Sequence, residues 1–183
     1  MDSAPEPTAQ QPAGGDSSPA GLTWGIKRSF INYISRLPDG SVTAQDGAAI
    51  VDGSFFRFES DGGEHGSLRT AGVLRFRGQV QLRGHYGMLS VLIADPWIEF
   101  DNGAAVVSIV DVRHWPDRSK RVPLLQLPSA RLVADGACHF LPETPARLTS
   151  EGSVMFNEQY QPGEKMDPVA VVLQGPDSRC PTG

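Results

Sequence analysis

Four histidines are the residues of this 183-residue chain best suited to acid–base chemistry or metal binding. His65 and His139 have no partner at metal-ligand spacing, and His114 lies in a basic loop, so all three are interpreted as surface residues. His85 differs in its setting, because glycines stand on both sides of it in "GHYG" at 84–87. A titratable ring at a bend between two predicted strands is the first candidate for chemistry.

The sequence carries none of the common catalytic motifs. It has no G-x-S-x-G nucleophile elbow, no P-loop and no dinucleotide-binding glycine motif after a strand. The glycine-rich stretch "DGGEHG" at 61–66 has no helix pattern behind it, so we interpret it as a turn. Cys138 and Cys180 are the only cysteines. Either they form a disulfide in an oxidising compartment or they are two free thiols, and both readings stay open.

Composition favours one β-rich domain with flexible ends. The chain is 39% hydrophobic, contains 20 glycines and 15 prolines, and carries a net charge of −5, which is not typical of a nucleic-acid-binding protein. No apolar run approaches the ~18 residues of a membrane span. We expect a disordered tail at 1–20, one domain at 21–175 and a short C-terminal tail at 176–183. The first tail lacks the basic start and apolar stretch of a secretory signal. The expected location is therefore either cytoplasmic or that of a mature or trimmed exported chain.

Hydrophobic periodicity predicts one helix, at 22–37, with Thr23 as its N-cap. Phe30, Tyr33 and Ile34 recur at helical spacing, so we expect Tyr33 on or beside the buried face. "PDG" at 38–40 would end the helix.

The rest of the domain follows a strand pattern. Residues 73–83 alternate apolar and polar side chains and are predicted to form a half-buried antiparallel strand. Short apolar runs separated by turns give about nine to eleven strands in all. The predicted fold is mainly β, an antiparallel β-sandwich or flattened barrel with one N-terminal α-helix.

Four stretches, in this order and spacing, resemble the HtaA domain, the haem-binding module of actinobacterial haem-uptake proteins. They are "LTWGIKRSFINYI" at 22–34, "GAAIVDGSFFRF" at 47–58, "VLRFRGQVQLRGHYGMLSVLIADPWIEF" at 73–100 and "ARLTSEGSVMFNEQYQPGEKMDPVAVVL" at 146–173.

The resemblance implies a role for three residues. Tyr33 stands where the family has the tyrosine that ligates ferric haem iron, and His85 where it has the histidine that hydrogen-bonds this tyrosine. Tyr160 matches a second tyrosine needed for haem binding, although Gln159 precedes it where an aromatic residue is usual. On this reading the bend at 84–87 presents His85 to Tyr33.

The chemistry of a phenol agrees with these implied roles. A free phenol has a pKa near 10 and is a poor anionic ligand at neutral pH. A ferric iron lowers that pKa, and an imidazole N–H donated to the phenolate oxygen stabilises the charged form further. Tyrosinate is a known axial ligand of haem.

Further residues are expected around the same ligand. One of the neighbouring Lys27, Arg28 and Ser29 could meet the propionates, and only one of them can face the pocket. Candidates for apolar walls, each equally compatible with ordinary core packing, are Phe30, Ile34, Phe56, Phe58, Tyr86, Met88 and Phe156.

The resemblance therefore implies a protein without catalytic activity that binds ferric haem b and passes it on. Expected partners are other HtaA-type domains or a haem-receptor lipoprotein. Two alternatives remain at this point. One is a binding or adhesion module that kept the fold and lost the haem. The other is a haem-dependent enzyme, such as a peroxidase-like or haem-degrading protein, although no distal Arg–His pair is evident.

Overall fold

A computed structural model describes residues 20–61, 72–136 and 138–173. In those residues the chain forms thirteen strands, namely β1 (Gly21–Trp24), β2 (Ser41–Gln45), β3 (Ala48–Val51), β4 (Phe55–Ser60), β5 (Val73–Arg77), β6 (Gln79–Gly84), β7 (Leu89–Ala94), β8 (Trp97–Asp101), β9 (Ala104–Val110), β10 (Arg121–Leu127), β11 (Val133–Asp135), β12 (Cys138–Leu148) and β13 (Lys165–Leu173). Two α-helices accompany them, α1 (Arg28–Ile34) and α2 (Ser150–Met155). The mainly β prediction is confirmed, with more strands than the expected nine to eleven.

The larger sheet closes on itself. Antiparallel pairing runs from β1 through β13, β12, β10, β9, β8 and β5 to β4, and β4 pairs back to β1. Strand β3 pairs with β4, and β11 pairs with β12. The core inside the sheet is built from large apolar side chains, including Trp24, Phe56, Phe58 and Phe76, which are at most 2% exposed. Each such burial contributes about 1.5–3 kcal/mol, so the sheet is a firm support for whatever packs on it.

A second sheet, of strands β2, β6 and β7, holds the bend that contains His85. The predicted single strand at 73–83 is wrong, because the chain leaves the closed sheet at Gly78 and enters the small sheet. Gly78 has φ +126, and a Cβ there would lie 2.3 Å from the backbone nitrogen of Ala48. The predicted alternation does hold across the break, since Leu74, Phe76, Val80 and Leu82 are all buried.

The predicted helix at 22–37 is too long at both ends. Residues 21–24 form β1, which pairs with β13 on one side and β4 on the other. Thr23 therefore lies in a strand and is not an N-cap. Helix α1 begins only after Ile26, whose φ of +59 separates strand from helix. Its N-cap residue is Lys27, which makes no capping hydrogen bond through its side chain.

Helix α2 was not predicted, so the expectation of a single helix is wrong. Thr149 caps α2, because its Oγ1 accepts a hydrogen bond of 2.9 Å from the backbone N–H of Gly152. The same oxygen donates to the carbonyl of Pro123 at 2.8 Å. The cap thus ties the start of α2 to strand β10.

The predicted tails at 1–20 and 176–183 lie outside the described residues, apart from Ala20, and so do His65 and Cys180. Cys138 is buried and disulfide-bonded. No helix in the described part of the chain is both long and apolar enough to cross a membrane.

Candidate functional site

A cleft of about 720 Å³ opens between α1, the bend after β6 and the loop after α2. This volume is within the range of small-molecule sites in proteins. Its lining comes from those three segments and the first residue of β7, and comprises Ser29, Phe30, Tyr33, His85, Met88, Leu89, Asn157, Gln159 and Tyr160. Of the candidates named from the sequence, the lining contains Tyr33, His85, Tyr160, Phe30, Ser29 and Met88, and Phe156 packs behind it.

Tyr33 and His85 meet at the cleft. The phenolic oxygen of Tyr33 lies 2.5 Å from Nε2 of His85, and the two ring centres are 5.8 Å apart. Which atom donates depends on the histidine tautomer: with the proton on Nε2, His85 donates and favours a phenolate at Tyr33. Tyr33 is 45% exposed. The expectation that it lies off the solvent face is wrong, because the buried face of α1 is formed by Phe30, Ile31 and Ile34.

The bend that presents His85 has an unusual backbone. His85 and Tyr86 both have positive φ values, +53 and +55, although neither is glycine. Each costs about 1–2 kcal/mol relative to the ordinary helical region, so the surrounding structure must hold the bend in place. A Cβ at Gly84 would lie 2.5 Å from Cδ1 of Leu37, so a larger residue there would displace the end of that side chain. Gly87 has φ +89 and open space around it, which leaves room beside His85.

Three aromatic rings form the floor of the cleft. Phe30, Phe156 and Tyr160 contact one another edge to face, with ring centres 5.4 to 6.0 Å apart. Phe156 is 1% exposed and supports the other two rings from the core side. The floor is thus apolar and fixed, as edge-to-face pairs favour a defined geometry.

The structure places the remaining candidate wall residues in three different settings. Met88 does line the cleft. Ile34, Phe56 and Phe58 belong to the core and are fully buried. Tyr86, the last of these candidates, does not line the cleft, because the left-handed bend turns it outward and leaves it 87% exposed.

Tyr160 is half-buried, and burial raises the pKa of its phenol above the ordinary value. The positive charge of Lys27 and a side-chain hydrogen bond with Ser29 act in the opposite direction. Nζ of Lys27 lies 4.9 Å from the centre of the Tyr160 ring. The backbone carbonyl of Tyr160 accepts a hydrogen bond of 2.6 Å from Ser153 in α2. Contacts therefore hold both the ring and the backbone of Tyr160.

The start of α1 is tied to β13. Lys27 forms a salt bridge of 2.9 Å with Glu164, and Arg28 forms one of 3.1 Å with Asp167. Of the three neighbouring candidates for a polar group at the cleft, only Ser29 is in the lining. The two cations are engaged in ion pairs, Lys27 with Glu164 just before β13 and Arg28 with Asp167 within it.

Asn157 and Gln159 were not predicted as site residues. They line the cleft from the loop between α2 and Tyr160. Nδ2 of Asn157 donates a long hydrogen bond, 3.4 Å, to the carbonyl of Met88 and so bridges the two sides of the cleft. Their place immediately before Tyr160 was the only available signal, since neither residue type indicates a cleft by itself.

The other described histidines lie away from the cleft. His114 is exposed, and its Nδ1 lies 3.0 Å from Oδ2 of Asp111. Hydrogen bonds from Arg113 hold the pKa of the Asp111 carboxyl well below its ordinary value. His139 lies in β12. Among the described residues no group of three or more His, Cys, Asp or Glu side chains is placed to hold a metal ion.

Comparison with solved structures finds the same fold in proteins from Corynebacterium glutamicum. The C-terminal domain of HtaA is 26% identical, with a TM-score of 0.63 over 85% of this chain and 95% of that one. The N-terminal domain of HtaA is 24% identical, with a TM-score of 0.62 over 87% and 98%. The heme binding protein HtaB is 16% identical, with a TM-score of 0.62 over 84% and 91%. The latter two likenesses show the fold alone.

No curated protein matches the chain. A family model described as HtaA matches residues 20–172, which include every residue of the cleft. The chain therefore belongs to the HtaA family.

Proposed function

We propose that this protein binds ferric haem b in the cleft, with the Tyr33 phenolate as the ligand of the iron, and passes the haem on without chemical change. The observation that carries the proposal is the contact between Tyr33 and His85 at a cleft with an aromatic floor. Membership of the HtaA family supports it.

The residues of the cleft fit the chemistry of a haem. A porphyrin is flat and apolar and carries two carboxylates at one edge. The aromatic floor of Phe30 and Tyr160 matches the apolar face, and Ser29, Asn157 and Gln159 offer hydrogen-bond donors. A phenolate is a hard anionic donor and favours ferric over ferrous iron, so the group would be held in its oxidised state.

His85 has a supporting role in this proposal. It touches the ligand atom of Tyr33, and its N–H stabilises the phenolate and orients the ring. Tyr160 and Ser29 belong to the same lining, and Lys27 adds positive charge beside the Tyr160 ring.

Exposure of the site supports hand-over to another protein. Tyr33 is 45% exposed and Met88 78% exposed, so one side of the cleft is accessible to a partner. The partner would be another HtaA-type domain or a haem-receptor lipoprotein. A bound group that is reached from outside can leave without the domain unfolding.

A hemin titration followed by absorption spectroscopy tests the proposal. We expect saturable binding of one hemin per chain, and a loss of affinity of more than tenfold in Tyr33→Phe. Tyr86→Phe is the matched control, because Tyr86 is 87% exposed and is not in the lining. Unsaturable binding by the native protein, or native affinity in Tyr33→Phe, would show that the proposal is wrong.

A further inference from the structure

The strained bend at His85 is held by a residue from the other side of the cleft. Asp39 follows α1, and its Oδ2 accepts a hydrogen bond of 2.5 Å from the backbone N–H of Tyr86. Tyr86 is the second of the two consecutive residues with positive φ. The contact therefore acts on the backbone of the bend itself, at the residue next to His85.

Asp39 is also firmly connected to the helix that carries Tyr33. The backbone N–H of Leu37 donates to the carbonyl of Ile34 at 3.0 Å, and that of Gly40 donates to Leu37 at 3.1 Å. A Cβ at Gly40 would overlap the Ile34 carbonyl, at 1.9 Å, so this segment packs tightly against the end of α1. One short segment thus carries both Tyr33 and the carboxylate that holds the His85 bend.

Other contacts hold the bend less directly. The backbone N–H of Met88 donates to the His85 carbonyl at 3.1 Å, but this bond is within the bend and does not connect it to α1. The hydrogen bond from Asn157 to the Met88 carbonyl is 3.4 Å long and comes from the α2 side. Besides the contact between the Tyr33 and His85 side chains, the hydrogen bond that Asp39 accepts from the Tyr86 N–H joins the bend to the segment of α1.

We propose that Asp39 is a positioning residue, which keeps Nε2 of His85 within hydrogen-bond distance of Tyr33 by fixing the bend relative to α1. This role rests on the proposed function and extends it, because the rate at which haem leaves then depends on a carboxylate that does not line the cleft. Asp39 acts through His85 alone, so its effect disappears when His85 can no longer reach Tyr33.

Hemin loss to an excess of an apo haem acceptor tests this dependence. We expect Asp39→Ala to lose hemin about fivefold faster than the native protein. Asp39→Asn should stay within twofold, because its amide oxygen still accepts the hydrogen bond. Asp135→Ala removes an exposed carboxylate from β11 and should match the native rate. In a His85→Asn background, Asp39→Ala should add less than twofold.

Two results would overturn the inference. One is a native rate in Asp39→Ala. The other is a fivefold increase that persists in the His85→Asn background, which would mean that Asp39 acts by another route.

A second measurement does not depend on haem. In the apo protein with ¹⁵N-labelled histidine, Asp39→Ala should shift the ring nitrogen resonances of His85, and those of His114 should not change. Unchanged His85 resonances would refute the positioning role. If the native protein bound no hemin, the proposed function would fail while this spectrum still decided the role of Asp39.

Discussion

Replacing His85 removes the hydrogen bond to Tyr33 and leaves the cleft otherwise intact. The best variant is His85→Asn, because asparagine tolerates the φ of +53 at this position better than alanine does. The shorter amide cannot span the distance that the imidazole spans between the bend and Tyr33. The variant therefore isolates the side-chain contact from the backbone strain of the bend.

The size of the effect follows from the contact. A hydrogen bond to a charged group is worth about 1.5–3 kcal/mol, and the lower end applies here because Tyr33 is 45% exposed. A loss of about 1.5 kcal/mol corresponds to about a tenfold change. We expect His85→Asn to bind hemin still, and to lose it to an excess of an apo haem acceptor about tenfold faster than the native protein.

The assay follows the absorbance of the acceptor as it takes up hemin. His114→Asn is the matched control, since His114 does not line the cleft and should leave the rate unchanged. Urea unfolding of each variant shows whether the fold is retained. A His85→Asn rate within twofold of native, in a protein of native stability, would refute the role assigned to the contact.

Three further variants test the structure that supports the cleft. Thr149→Ala removes the cap of α2 and the hydrogen bond to Pro123, so the free energy of unfolding in urea should fall by about 1–2 kcal/mol. Thr149→Ser should recover most of that loss. An unchanged urea midpoint in Thr149→Ala would contradict the role of Thr149 as the cap. Gly78→Ala should cost about 3 kcal/mol because its Cβ has no room, whereas Gly163→Ala, at φ +83 with open space around it, should cost only about 1 kcal/mol. Equal losses of stability in the two variants would show that the lack of space at Gly78 is not the cause. Burial raises the pKa of Tyr160 in the folded protein. The neutral phenol therefore contributes stability below the ordinary tyrosine pKa, and this contribution is lost as pH rises through the folded value. Tyr160→Phe should lessen the fall in the free energy of unfolding above pH ~10, and an identical fall in both proteins would be evidence against this.

Local sequence patterns predicted which side chains are buried better than they predicted where helices and strands begin and end. The alternation around Gly78 correctly identified Leu74, Phe76, Val80 and Leu82 as buried. It could not show that the chain changes sheets at Gly78, because the reason is the close approach of Ala48, thirty residues earlier in the chain. The helical spacing at 22–37 was misleading for a similar reason. Residues 21–24 gain hydrogen bonds from two partner strands, and this tertiary pairing overrides the local preference.

The sequence predicted those residues of the candidate site that lie in the stretches resembling the HtaA domain. The resemblance to the HtaA domain identified Tyr33, His85 and Tyr160, and the structure places all three at one cleft. Asp39 could not be found in this way, since its contact with the Tyr86 backbone joins residues 47 apart and leaves no local pattern. Asn157 had no signal beyond its place before Tyr160, because its backbone at φ +52 and its bond across the cleft depend on the loop after α2.

The structure of the protein crystallised with hemin, with the iron located by its anomalous scattering, would test the central claim most directly. The account predicts one iron per chain, bonded to the phenolic oxygen of Tyr33, with Nε2 of His85 still in contact with that oxygen. Iron bonded to any other side chain, or haem bound outside the cleft, would contradict it.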